Sequence, residues 1–332
     1  MINRDYGIGI LGVGKRVPEK MLANEEVEKW AGMEPGEIEK KTGVKTRYIC
    51  EDDDTASGLS AEAGKRALDM ASVDPKDLGV ILGCTSSGDY KYPAMACRIH
   101  ALLGAKNAAA YDLQANCTGF TVGLGTIADK MYCDPSVKYG LVVGTAIQSR
   151  YLNWKDADSA MYFGDAAAVA LLGQVPAGYG VLATESFTNS RVFDSVRLRG
   201  GGSTHPMRPE NVNEGLQFQE INGMEVWKQV VQNQPKVIRA VLKKIDKQIE
   251  DVDYFIFHQA NLNLIQFLMG KLRVDMKKTF VNVEKYGNTA EASIPLALCE
   301  AVEQGKLKRG DLVVLSGVGA GFTFGATALR WY

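Results

Sequence analysis

Histidine is scarce in this chain: His100, His205 and His258 are the only three. Its six cysteines (Cys50, Cys84, Cys97, Cys117, Cys133 and Cys299) include no C-x-x-C pair. So few and so scattered nitrogen and sulfur ligands argue against a zinc site. The opening MINRDYGIGILGVG has no basic leader followed by a long apolar segment. Together with the cysteine scatter, this predicts reduced thiols in a cytoplasmic protein rather than a disulfide framework. Charge of one sign is also lacking, since 38 Lys and Arg against 39 Asp and Glu leave a net −1. That excludes the basic surplus on which non-specific nucleic-acid binding depends. No apolar run reaches the ~18 residues of a membrane span.

What is present suits a large globular core, with 332 residues of which 46% are apolar. Apolar runs at 6–14, 78–84, 108–113, 139–146, 165–172, 180–186, 253–258, 278–283, 311–317 and 322–331 read as strands. Helical patterns lie between them. One is 59–72, behind Ser60 as its cap; another is 224–245, where Pro235 is expected to kink or break the helix. Near-continuous apolar strands suit sheets covered on both faces, and so an α/β layered architecture.

Several motifs carry less than they first suggest. GIGILG (7–12) fits the dinucleotide pattern, but its glycines fall inside a strand and KRVPE follows, so no helix would receive a pyrophosphate. CEDDDTAS (50–57) lacks the spacing and closing glutamate of a calcium loop and reads as solvated. His100 reads as structural within an apolar helix. His205, in GGGSTHPMRPE (200–210), lies in a loop that is either plain surface or a gate.

A weak internal repeat is more informative. DLGVILGCTSS (77–87) matches DVDYFIFHQAN (251–261), and DLQANCTGFTVGLGTIA (112–128) matches VEKYGNTAEASIPLALCEA (283–301), with Cys117 opposite Asn288. KYGLVVGTA (138–146) and FGDAAAVALL (163–172) find partners at 309–320 and 322–332. The expectation is two copies of one unit, residues 1–175 and 176–332. Cys117 and Asn288 then stand at equivalent helix N-termini facing a shared cleft, with His258 at a strand end beside them. Ligands of open α/β sheets bind beyond the carboxyl ends of strands, where these residues fall.

A lone cysteine often only fills a core gap. At a helix N-terminus, however, unpaired N–H groups and the positive dipole end lower a thiol pKa and make a nucleophile. Such a thiolate can take an acyl group from a thioester, given an oxyanion hole. The N–H groups of Cys117 and of Ala320, in the glycine-rich GVGAGFTFG (317–325), are the candidates. His258 and Asn288, donating to one carbonyl oxygen, would stabilise an enolate of the kind that malonyl decarboxylation produces. A papain-like hydrolase is another use of Cys, His and Asn, but CGSCW-type surroundings are missing.

NCTGFTVGL, FHQANLNLI, YGNTAEASIPLAL and GAGFTFGATALRW, with KTGVKTR, YPAMACRIHALLG and FGDAAAVALL, resemble the motifs of β-ketoacyl-acyl-carrier-protein synthase III of the thiolase superfamily. The resemblance implies a duplicated αβαβα five-layer fold and a homodimer. It also implies a Cys117/His258/Asn288 triad joining an acyl primer to malonyl-acyl carrier protein with loss of carbon dioxide. No cofactor is implied beyond coenzyme A and carrier-protein thioesters. Tyr92, Lys41, Lys228, Asn261, Asn263, Gly319 and Phe322 are the substrate-binding positions expected. Tyr92 resembles an aromatic lid that enters the partner's acyl pocket; its hydroxyl points to a polar primer, and a plain interface role is the alternative.

The chain departs from the family where coenzyme A is usually held. Glu37 replaces a tryptophan, while Lys41, Ala157 and Asn263 replace arginines. Weak use of free acyl-CoA follows, with Lys41, Lys228 and Lys271 left to meet an acidic carrier. An acyltransferase acting on a hydroxyl or amine, and a non-catalytic subunit of a heterodimer, are the rival readings.

Overall fold

The computed structural model describes residues 5–332. The apolar runs build two sheets. In the first, Tyr6–Arg16, Ala166–Pro176, Tyr139–Ala146, Leu78–Cys84 and Ala109–Leu113 lie side by side in that order. Its first two junctions are antiparallel and its last two parallel. In the second, the order Gly180–Thr188, Thr323–Arg330, Leu312–Gly319, Tyr254–Phe257 repeats the pattern, antiparallel twice and then parallel. The chain crosses from one sheet to the other through residues 177–179.

The helices Gly119–Cys133 and Ser293–Glu303 each pack against both sheets and so form the middle layer. Ala56–Ala71 and Met95–Leu103 cover the outer face of the first sheet, and Gly223–Lys243 covers that of the second with Leu262–Leu272 beside it. The result is the duplicated αβαβα stack. It accounts for the strand composition, since Ala166–Pro176 is buried on both faces for its first eight residues. Among the described residues no helix is long and apolar enough to cross a membrane.

Three local expectations need correction. The run 278–283 is no strand: it makes one parallel bridge, Phe255 to Thr279. Asp275 accepts from the Lys277 N–H and commits the segment to a turn, and the Gln259 side chain takes the Phe280 carbonyl and the Asn282 N–H that a ladder would use. The cap of Ala56–Ala71 is Thr55, which accepts from Gly58 N, whereas Ser60 lies one turn inside and bonds back to Ala56 O. Pro235 does not end its helix, which runs unbroken over Gly223–Lys243. Lacking an N–H, Pro235 frees the carbonyl of Val231 one turn back, and Lys271 Nζ donates to that oxygen at 2.8 Å. Lys271 is therefore already engaged within the chain. A further two-stranded antiparallel ladder, Lys20–Ala23 with Thr46–Ile49, lies outside those expectations, because four-residue strands leave too little alternation to detect.

Candidate active site

Cys117 is the middle residue of a single 3-10 turn, Asn116–Thr118, which runs directly into Gly119–Cys133. Asn116 has φ 47°, a left-handed conformation that asparagine tolerates better than most residues. Its Nδ2 donates to Ala320 O at 3.1 Å and ties the turn to the end of strand Leu312–Gly319. That approach requires glycine at 319, where a Cβ would lie 2.5 Å from Ala115 O and 2.6 Å from Thr118 Oγ1. The Cys117 N–H lies in the first turn, where no intrahelical partner exists. The Ala320 N–H has no hydrogen-bond partner among the described residues.

His258 directly follows strand Tyr254–Phe257, and its N–H extends the ladder to Ser316 O at 2.9 Å. Its Nδ1 lies 2.5 Å from Ser293 Oγ, which also accepts from the Gln259 N–H at 3.3 Å. The buried Ser293 hydroxyl has one proton, and among the described residues His258 Nδ1 is the acceptor it reaches. The network therefore assigns the tautomer: Ser293 donates to Nδ1 and the ring carries its proton on Nε2. Burial holds the imidazole pKa down to about 4, so the ring is neutral near pH 7.

Asn288 is held by its backbone. Its N–H donates to Tyr162 O at 2.8 Å and its carbonyl accepts from Gly164 N at 3.1 Å. Gly287 makes this possible with φ 66°, since a Cβ there would sit 2.6 Å from Tyr162 O. Asn288 Oδ1 accepts from Ala290 N at 2.9 Å, which leaves Nδ2 as the free donor.

The three side chains line one cavity of about 160 Å³, together with Gly319, Ala320, Phe322 and Asn261. Asn261 has both side-chain atoms committed, accepting from Leu264 N and donating to Lys41 O. The structure does not bring the other expected residues to the cavity. Asn263 donates to the carbonyls of Lys40 and Lys41, fastening one helix to another. Lys41 is paired with Glu37 at 2.6 Å and Lys228 with Glu225 at 3.7 Å. Tyr92 lies away from its own chain's cavity and is 83% exposed.

The sequence reading missed Ser293, Trp227 and Glu291. Trp227 lines the cavity with its ring 5.6 Å from that of Phe267. Glu291 corrects the register of the repeat. The left-handed residues Asn116 and Ala290, the 3-10 turns Asn116–Thr118 and Ala290–Ala292, and the helix starts Gly119 and Ser293 correspond. The counterpart of Cys117 is thus Glu291, three residues beyond Asn288. A positive φ at an alanine leaves no trace in sequence, so the pairing was not legible there. Burial pushes the Glu291 carboxyl up to about 7. Burial first, and the Glu291 charge second, hold the Cys117 thiol well above its ordinary range, the reverse of the shift expected from its helix position.

Comparison with known proteins agrees with this geometry. Residues 111–190 match the family profile of 3-oxoacyl-(acyl-carrier-protein) synthase III, and residues 242–331 match that of its C-terminal part. A β-ketoacyl-(acyl-carrier-protein) synthase III of Natranaerobius thermophilus is 38% identical over 325 residues, 97% of this chain and 98% of that protein. One from Desulfitobacterium hafniense is 38% identical over 324 residues, 98% of each. The crystal structure of 3-oxoacyl-(acyl-carrier-protein) synthase III from Aquifex aeolicus superposes with a TM-score of 0.89 at 34% identity, over 98% of this chain and 100% of that one. With the thiolase-type stack and full-length relatives in agreement, the chain belongs to the β-ketoacyl-acyl-carrier-protein synthase III family, the condensing enzymes of fatty acid synthesis.

Proposed function

We propose that the chain carries out a decarboxylative Claisen condensation through an acyl-cysteine at Cys117. The observation that carries this reading is the convergence of Cys117, His258 and Asn288, from three separate segments, on one cavity. In the first half-reaction, Cys117 Sγ bonds to the acyl carbon, the donor's C–S bond breaks, and the thiol proton leaves with the departing thiolate. The N–H groups of Cys117 and Ala320 receive the tetrahedral oxyanion. In the second, the C–C bond to the malonyl carboxylate breaks, carbon dioxide departs, and the electron pair remains as an enolate. His258 Nε2–H and Asn288 Nδ2–H donate to its oxygen. The enolate carbon then attacks the acyl group and Cys117 leaves as thiolate, giving a 3-ketoacyl thioester. A neutral His258 suits this role, because it donates without needing to ionise.

In this reading residues 1–175 supply the nucleophile and 176–332 the enolate site. Two copies of the chain form the working unit, with Tyr92 offered to the partner. Malonyl-acyl carrier protein or malonyl-CoA is the extender. Lys41 and Lys228 sit in exposed ion pairs that open at little cost, and Lys271 donates to the Val231 carbonyl, so the preference for a carrier-borne primer rests chiefly on the missing arginines.

The test is intact-mass spectrometry followed by product analysis. Wild type is expected to gain an acyl increment from a thioester and then discharge it with malonyl-acyl carrier protein, releasing carbon dioxide. Cys117→Ala is expected to gain none. An increment on that variant, or discharge to a hydroxyl or amine without carbon dioxide, overturns the reading.

A further inference from the structure

We propose that the primer of this enzyme is a short acyl group bearing a hydrogen-bond donor, a hydroxyl or an ammonium, and that Glu291 selects it. The proposal rests on Cys117 being the acylated residue. Glu291 is 1% exposed, and neither of its carboxylate oxygens makes a hydrogen bond of good geometry among the described residues; the Ser86 hydroxyl and N–H approach it only loosely. A buried carboxylate left in that state is among the costlier arrangements in a protein interior.

Glu291 stands close to Cys117. The turns that hold Cys117 and Glu291 touch each other, and both residues line the cavity. The carboxylate's charge bears on the thiols of both Cys117 and Cys84. Ser86 and Gln148 line the same end, just beyond the carboxyl ends of the adjacent parallel strands Leu78–Cys84 and Tyr139–Ala146. Gln148 Nε2 directs one of its two N–H groups to Ser86 Oγ at 3.5 Å. The contact of Ser86 with Glu291 offsets only part of the desolvation. The rest of the lining includes Val196, Ile221, Val226, Trp227 and Leu264, with Gln219 among them.

A hydrocarbon acyl group on Cys117 would leave the Glu291 carboxyl group, pushed up to about 7 by burial, without a partner. A hydroxyl or ammonium would pair it, and an acidic acyl group would be repelled. Selection of this kind is strong, because a site built to bond a polar group leaves its own buried partner unsatisfied when the wrong substrate binds.

The test compares acylation of Cys117 by butyryl, 3-hydroxybutyryl and 3-aminobutyryl groups loaded on one acyl carrier protein, with acetyl as the reference. For wild type, at least one donor-bearing group is expected to exceed butyryl in kcat/KM by about tenfold or more. Glu291→Ala is expected to reverse the order. Glu291→Gln, nearly equal in volume, is expected to keep a hydroxyl preference and lose an ammonium one; it also serves if the alanine variant fails to fold. Butyryl matching or beating both donor-bearing groups on wild type overturns the proposal. So does Tyr92→Phe reproducing the reversal, which would mean that a second copy's phenol already pairs the carboxylate. If acetyl or butyryl charges Cys117 without preference, only the primer proposal fails. If no thioester charges it, the condensing mechanism fails as well.

Discussion

Ser293→Ala isolates the positioning of His258 from the rest of the site. The hydroxyl lies 2.5 Å from Nδ1, Ser293 is fully buried and His258 is 7% exposed, so no solvent replaces the lost donor. A buried acceptor deprived of its hydrogen bond costs ~1–3 kcal/mol, which is roughly a 5- to 150-fold loss in the preference for the Nε2–H tautomer. In the proposed mechanism the enolate requires that proton on Nε2. The kcat for condensation should therefore fall by a factor in that range, with a ceiling at the ~10²–10³ typical of losing an oxyanion donor outright. Acylation of Cys117 and the KM for the malonyl thioester should stay near wild type, since neither uses the imidazole proton. The assay charges Cys117, isolates the acyl-enzyme, and follows carbon dioxide release on adding malonyl-acyl carrier protein. Nitrogen-15 spectra report the tautomer directly, and only three histidines need assigning. Wild-type condensation by the variant, an unchanged Nε2–H tautomer, or a parallel fall in acylation would each refute the reasoning.

Other expectations concern separate parts of the molecule. Asn288→Ala should still be acylated at Cys117 but condense ~10²–10³ times more slowly; near wild-type condensation in steady-state assays removes Asn288 from the enolate site. Glu291, pushed up from 4.5 to about 7, holds a proton in the folded chain that the unfolded chain releases. Its contribution to stability thus falls as pH rises from about 4.5 to 7, by on the order of 3 kcal/mol. His258, held down to about 4 from 6.5, acts in the opposite sense and loses its contribution as pH falls from about 6.5 to 4. Denaturant midpoints of wild type and Glu291→Gln across pH 4.5–7 should diverge, and identical pH profiles would contradict the raised carboxyl. Lys271→Met should cost up to about 1 kcal/mol by orphaning the Val231 carbonyl, and nothing once Pro235→Ala restores the helical N–H. Additive effects in that double-mutant cycle would mean that Lys271 does not act on the freed carbonyl.

The strands and the three cavity side chains were legible because burial writes itself into composition. Strands covered on both faces must be apolar along their length, which is why 139–146 was read correctly to the residue. Glycine at 287 and 319 marks the backbone approaches that only glycine permits. Where a segment's fate depends on a distant side chain, the sequence was silent. The run 278–283 has strand composition, yet Gln259 takes its backbone groups. Asn263 and Lys41 look like ligand residues, yet one donates to main-chain carbonyls and the other is paired with Glu37.

By itself, then, the sequence determined which segments are buried, that the unit is doubled, and which thiol, imidazole and amide stand at strand and helix ends. All of these follow from local polarity and spacing. Tertiary structure alone decided the ionisation of those groups and their registration. Desolvation and the charge of Glu291 outweigh a helix N-terminus at Cys117. Two left-handed residues, Asn116 and Ala290, set a carboxylate rather than an amide at the position that corresponds to Cys117. Both outcomes depend on what surrounds a side chain in space, and no local window of residues contains that.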